Sequence, residues 1–153
     1  MTNLSDDLIY SIALQKALGF ACKGIGKIIA RFKSADAVFA ADRKILEQSG
    51  LFTEKQLGGI SAESLDYARE VASLCKNSGI KPIAVTDADY PQNLRSIADP
   101  PCVLYTLGDL PDFSQTPSIS IVGSRKPTKY SSLSAFNISR KLASSGFVII
   151  SGA

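Results

Sequence analysis

The stretch SISIVGSRKPTKYS, Ser118 to Ser131, carries the strongest fold signal in the chain. Its apolar run, Ile119 to Val122, ends abruptly at Gly123, and Ser124, Arg125, Lys126 and Pro127 then separate it from a helical pattern. A short β-branched run closed by turn residues predicts a buried parallel strand. The turn behind such a strand presents backbone amides outward, made more positive by the dipole of the following helix, and so forms a seat for a phosphate. In that seat Gly123 admits close approach, Ser124 offers a hydroxyl and Arg125 a fixed fork of donors. One glycine is a weaker signal than a three-glycine dinucleotide fingerprint, so the same residues also admit a plain turn with Arg125 and Lys126 in solvent.

Working outward, Ser131 to Ser145 reads as a helix with Phe136, Leu142 and Ala143 inward and Gly146 as its cap. Phe147 to Ser151 then reads as a strand. Strand, helix and strand predict a right-handed crossover and a parallel α/β sheet. Upstream, Ile83 to Val85 and Val103 to Leu107 are the first two expected strands. Between them Tyr90-Pro91 opens a short helix that runs through Leu94 to Ile97 and is broken by Asp99-Pro100-Pro101, and Gly108 to Pro117 reads as a loop. The last residues, Ser151-Gly152-Ala153, fall at the carboxyl edge where such sheets hold ligands, with the sheet incompletely covered. The expectation is the front part of a longer protein.

Before Gly79 the pattern is helical throughout. Ser5 is placed to cap a first helix, Asp6 and Asp7 complement its dipole, and Leu4, Leu8 and Ile12 fall four apart. Ser34, Asp42, Thr53 and Ser61 each precede a further short helix, and the longest runs from about Ala62 to Asn77. Gly24-Ile25-Gly26, flanked by Lys23 and Lys27, separates two helices. It looks like the loop of a helix-hairpin-helix module, whose amides meet nucleic-acid phosphates without reading sequence, or like a plain tight turn between packed helices. The organisation expected is therefore a small all-helical domain, residues 1–79, followed by an α/β domain, residues 80–153.

Composition narrows the function. With 45% hydrophobic and 20% charged residues in 153, the chain has globular values. No apolar run approaches the roughly 18 to 20 residues that span a bilayer, and the first residues lack a basic region before an apolar one, so a cytoplasmic protein with no membrane partner is expected. Cys22, Cys75 and Cys102 are too few and too scattered for a disulfide frame or a zinc site and are expected as small buried apolar side chains. The absence of histidine removes the usual partner of a serine nucleophile and the commonest metal ligand, so hydrolytic triads are excluded, and no metal or cofactor is expected. Net charge is only +3, but Lys16, Lys23, Lys27, Arg31 and Lys33 lie in a stretch free of acids, as do Arg125, Lys126, Lys129, Arg140 and Lys141. Two local basic fields suit a polyanion, although solvated helix faces give the same counts.

Tyr90-Pro91, Leu94, Ile97, Asp99-Pro100-Pro101, Val103-Leu104-Tyr105 and Gly108, then Ile121 to Lys126, Gly146 and Ser151-Gly152-Ala153, resemble in order and spacing the DNA-processing protein A family, also called DprA or Smf. The resemblance is loose over the whole chain and close over residues 80–153. It implies an amino-terminal domain similar to sterile-alpha-motif or helix-hairpin-helix folds, followed by the first part of an extended Rossmann-like parallel sheet. It further implies a non-catalytic function: binding and protecting single-stranded DNA in natural transformation and loading the RecA recombinase onto it, as a homodimer. The family's phosphate-binding turn maps onto Gly123, Ser124 and Arg125, with Lys126 as electrostatic support. Its second turn maps onto Ser151 and Gly152. Lys23, Gly24, Gly26 and Lys27 form the weaker candidate contact. Ser131 departs from the family, which often has glycine there. Two rival readings are a nucleotide-handling hydrolase similar to the phosphoribohydrolases and a protein-docking module.

Overall fold

In the computed structural model, which describes residues 6–152, contacts divide the chain into two compact units, Met1–Asp109 and Leu110–Ala153. The expected helix entry at Leu4 and Ser5, and the terminal Ala153, lie outside the described residues.

The first unit begins with α1 (Asp6–Leu18), α2 (Ile25–Phe32), α3 (Ala35–Ala40), α4 (Arg43–Ser49), α5 (Glu54–Gly59) and α6 (Ala62–Asn77), the last with the bounds its sequence pattern predicts. Ile12, Ala13 and Leu14 are consecutive in α1 and at most 1% exposed, so this helix is covered on all sides rather than along one stripe. Helices α3, α5 and α6 pack around it. Gly59 permits the closest of these approaches, because a Cβ there would lie 2.9 Å from the Cα of Ala17, well inside a relaxed carbon contact. Thr53 caps α5 as expected, in a reciprocal box: the Gln56 amide donates to Thr53 Oγ1 over 3.3 Å, and the Thr53 amide to Gln56 Oε1 over 2.9 Å. Ser34 and Asp42 precede α3 and α4, but among the described residues their side chains make no cap bond. All three cysteines are free and buried.

The composition change at Gly79 does not end the first unit. Strands β1 (Ile80–Ala84) and β2 (Val103–Leu107) pair antiparallel, with Ile80 opposite Leu107 and Ala84 opposite Val103. β1 packs on α1 and α6, where Ile83 and Ala84 are buried. This antiparallel pair packs on the helical core as a sheet of its own, where the expectation was strands of a parallel sheet. The connection causes the reversal. Its helix α7 (Gln92–Arg95) is a single turn that follows the expected Tyr90-Pro91 opening and ends before Ile97, and Tyr90 Oη donates to the Pro101 carbonyl over 2.8 Å, tying the two arms of the loop together.

The second unit consists of β3 (Ser118–Ser120), α8 (Lys129–Ser144) and β4 (Val148–Ile150). β3 and β4 pair parallel, with Ser118 opposite Val148 and Ser120 opposite Ile150, so the predicted strand–helix–strand unit is present. Gly146 ends α8 as expected. At φ 86° its amide donates to Ala143 O over 3.0 Å, and the Phe147 amide to Leu142 O over 3.1 Å, the paired bonds of a Schellman motif. The inward face of α8 needs correction. Phe136 is 62% exposed and Ala143 is exposed, whereas Ser134, Ala135, Ser139 and Leu142 are half-buried. Two three-residue strands offer little area, and this helix turns Leu142, as expected, and small residues toward its surroundings while Leu133, Phe136 and Ile138 stay outside.

Candidate nucleic-acid interface

Ser120 and Ile150 lie opposite each other, and the Ile121 amide donates to Ile150 O over 2.9 Å, so β3 and β4 end together at one sheet edge. Two exposed turns leave that edge: Val122 to Lys126 after β3, and Ser151-Gly152 after β4. The structure thus brings together the two segments that sequence reasoning assigned to one phosphate site. Neither glycine is demanded by the protein itself. Gly123 and Gly152 do not adopt positive φ, and a Cβ at either position would meet nothing within 4 Å. The space in front of both turns is open to close approach.

The polar groups of the first turn are partly committed. The Lys126 amide donates to Ser124 Oγ over 3.2 Å, a local turn closed by a hydroxyl. That leaves the Ser124 O–H to donate outward. Among the described residues, the amides of Gly123, Ser124 and Arg125 donate to no protein acceptor, and Arg125 and Lys126 enter no ion pair. Consecutive unengaged amides beside a free guanidinium are what an anion requires. The surrounding charge agrees: residues 110–152 hold five cations, Arg125, Lys126, Lys129, Arg140 and Lys141, against the single acid Asp112, a net of +4. Asp112 is itself engaged, accepting from the Ser114 hydroxyl over 2.6 Å and the Ser114 amide over 2.9 Å, which holds its carboxyl below the usual carboxylate range.

The helix contributes less than its position in the sequence implied. α8 starts at Lys129, beyond Pro127, and Thr128 caps it by accepting from the Ser131 amide over 3.1 Å. The turn residues 123–126 therefore precede the helix N-terminus, and the seat consists of turn amides rather than helix-end amides. Ser131 supplies that capped amide and a 2.8 Å contact between its hydroxyl and Thr128 Oγ1, so a side chain other than glycine is accommodated there. The local signal for this cap is a threonine directly before the helical pattern, three residues ahead of Ser131.

The hairpin in the first unit is built differently from the expectation. Gly24 adopts the left-handed conformation at φ 82° and is the N-cap of α2, but its amide donates to Asp99 Oδ1 over 2.7 Å. A Cβ on Gly26 would lie 3.4 Å from the Ala98 carbonyl, so the hairpin is closed against the segment 98–99. The protein's own carboxylate occupies the position that a phosphate would take at Gly24. Lys23 and Lys27 stay exposed. In the sequence Asp99 reads only as part of a helix breaker, and no local pattern links it to a glycine 75 positions away.

Residues 81–153 match the family model described as DNA recombination-mediator protein A. The DNA processing protein DprA of Bacillus subtilis (strain 168) is 37% identical over 82 residues, 54% of this chain and 28% of that protein. Protein Smf of Synechocystis sp. (strain ATCC 27184 / PCC 6803 / Kazusa) is 46% identical over 69 residues, 43% of this chain and 17% of the relative. Protein Smf of Borreliella burgdorferi is 44% identical over 63 residues, 41% of this chain and 20% of the relative. The matched region thus spans less than a third of each of these relatives. The segment matched by the family model contains both turns of the β3–β4 edge, and residues 81–153 are similar to the DprA/Smf family of DNA recombination-mediator proteins.

Proposed function

We propose that this chain binds single-stranded DNA through its backbone, with a phosphate seated on the turn Gly123-Ser124-Arg125 and the neighbouring Ser151-Gly152 turn forming the other wall. The observation that carries the reading is the sheet edge, where β3 and β4 end side by side and expose unengaged turn amides next to an unpaired Arg125. Lys126 adds charge at the turn, and Lys23 and Lys27 add it in the first unit. Affinity of this kind comes from counterion release and depends little on sequence. By that likeness, the process served is recombination of incoming DNA in natural transformation, with the strand protected and handed to RecA by a dimeric protein. In this reading residues 1–79 correspond to the sterile-alpha-motif or helix-hairpin-helix-like domain, and residues 80–153, whose β1–β2 pair packs on those helices, contain the opening of the Rossmann-like one in β3, α8 and β4.

Binding is favoured over nucleotide hydrolysis because the second unit offers no free carboxylate as a general base among its described residues: Asp112 is spent on Ser114. The test is fluorescence anisotropy of labelled oligothymidylate with the parent chain and Arg125→Ala at equal salt. One exposed charge-assisted contact predicts about a five-fold loss of affinity. Equal titration curves, or turnover of mononucleotides by the chain, reject the assignment.

A further inference from the structure

The last turn of α1 and the residue pair that follows it form one side of a cavity of about 270 Å³ in the first unit, completed by α6 and β2. Its lining includes Gln15, Lys16, Gly19, Phe20, Tyr67 and Tyr105. Three features set it apart from an ordinary surface dimple. First, Gly19 leaves α1 at φ 82° and Phe20 follows it into solvent at 86% exposure, an aromatic ring that the protein's own packing does not use. Second, Lys16 Nζ stands 3.8 Å from the centre of the Tyr67 ring, so a fixed cation sits beside an aromatic face. Third, Gln15 is only 8% exposed yet lines the cavity, and its carboxamide is held in place. Tyr105 Oη donates to Gln15 Oε1 over 3.0 Å, and Gln15 Nε2 reaches the Val103 carbonyl at 3.5 Å. A carboxamide has two N–H donors and two acceptor lone pairs, so one of each stays free for a ligand.

We propose that this cavity takes one unpaired nucleobase of a bound single strand, stacked against the aromatic side chains, its edge toward Gln15 and its phosphate toward Lys16. The cavity lies just under the roughly 300 to 1,000 Å³ of drug-sized sites, a size suited to one planar ring system. Aromatic platforms with an adjacent cation are the means by which proteins hold single strands without reading sequence. The choice of a nucleotide over an apolar peptide side chain rests on charge. Residues 8–35, which supply most of the lining, hold Lys16, Lys23, Lys27, Arg31 and Lys33 and no acid. The inference takes its occupant from the single-strand reading, but it concerns different residues from the phosphate turn.

The test uses the full chain and separates the two. Oligothymidylate and an abasic oligomer of the same length are titrated against the parent, Phe20→Ala, Phe20→Trp and Arg125→Ala. Phe20→Ala is expected to weaken the intact oligomer about five-fold and leave the abasic one unchanged, with Phe20→Trp restoring affinity. Arg125→Ala is expected to weaken both. Independently, nuclear magnetic resonance of the labelled chain with deoxyadenosine monophosphate is expected to shift the amides of Gly19, Phe20, Tyr67 and Tyr105, whether or not the phosphate turn binds DNA. Unchanged oligomer affinity in Phe20→Ala, or shifts confined to residues 123–126, would overturn the nucleobase pocket while sparing the phosphate seat. Shifts at these amides with indole but not with the nucleotide would assign the cavity to an apolar side chain and overturn it equally.

Discussion

Asp99 holds the Gly24 amide at the entry to α2, and its removal separates two roles for the hairpin. Asp99→Ala deletes one charge-assisted hydrogen bond of 2.7 Å at an exposed position. Because water can replace the acceptor, the expected cost is at the low end for a cap, about 0.5 to 1 kcal/mol. With a urea dependence of roughly 1 to 3 kcal/mol per molar for small proteins, the unfolding midpoint should fall by about 0.5 M. Asp99→Asn, which keeps an acceptor and loses the charge, should fall between that variant and the parent. The same proteins are then titrated with oligothymidylate at 0.15 M salt, where the Debye length is about 8 Å and exposed charges farther apart than that are largely screened. If the hairpin is a self-satisfied clasp, affinity stays within about two-fold of the parent. A rise of ten-fold in Asp99→Ala would refute that reasoning and return the Gly24 amide to the phosphate-binding surface. An unchanged urea midpoint would refute the assigned cost.

Gly59→Ala places a methyl group 2.9 Å from the Cα of Ala17 and 3.1 Å from its Cβ, so a loss of about 1 to 3 kcal/mol is expected in urea melts, with Ala17→Gly restoring part of it in the double variant. Burial pushes the Tyr90 and Tyr105 hydroxyls from 10.0 up to about 12. A group whose pKa is raised by folding stabilises the fold fully below its unfolded value and loses that contribution as pH rises through its folded value. Stability is therefore expected to decline between pH 10 and 12, with two of the five tyrosines ionising near the upper limit in an absorbance titration, one of them absent in Tyr90→Phe.

What the sequence made legible depended on how local the cause was. Ala62 to Asn77 and Val103 to Leu107 appear with the expected bounds, because length, periodicity and flanking turn residues all act within the segment. Gly146 was legible for the same reason, since a left-handed stop follows from one residue. The direction of β2 was not. The 18-residue connection between Val85 and Cys102 suits either a crossover or a return, and the choice rests on contacts such as Tyr90 to Pro101. The exposed Phe136 misled for a different reason, as apolarity predicts an inward face only where there is enough sheet to cover it. At the site, the adjacency of the two turns followed from strand order, but the capping of α8 by Thr128 and the capture of Gly24 by Asp99 moved the free donors to the turn after β3.

The most direct measurement is the salt dependence of oligothymidylate affinity for the parent chain and for Arg125→Ala. Each phosphate contact on a single strand contributes about 0.7 to the slope of log affinity against log salt. A parent slope steeper than that of Arg125→Ala by about this amount is the predicted result. Equal slopes for the two proteins would contradict a phosphate held at the turn after β3.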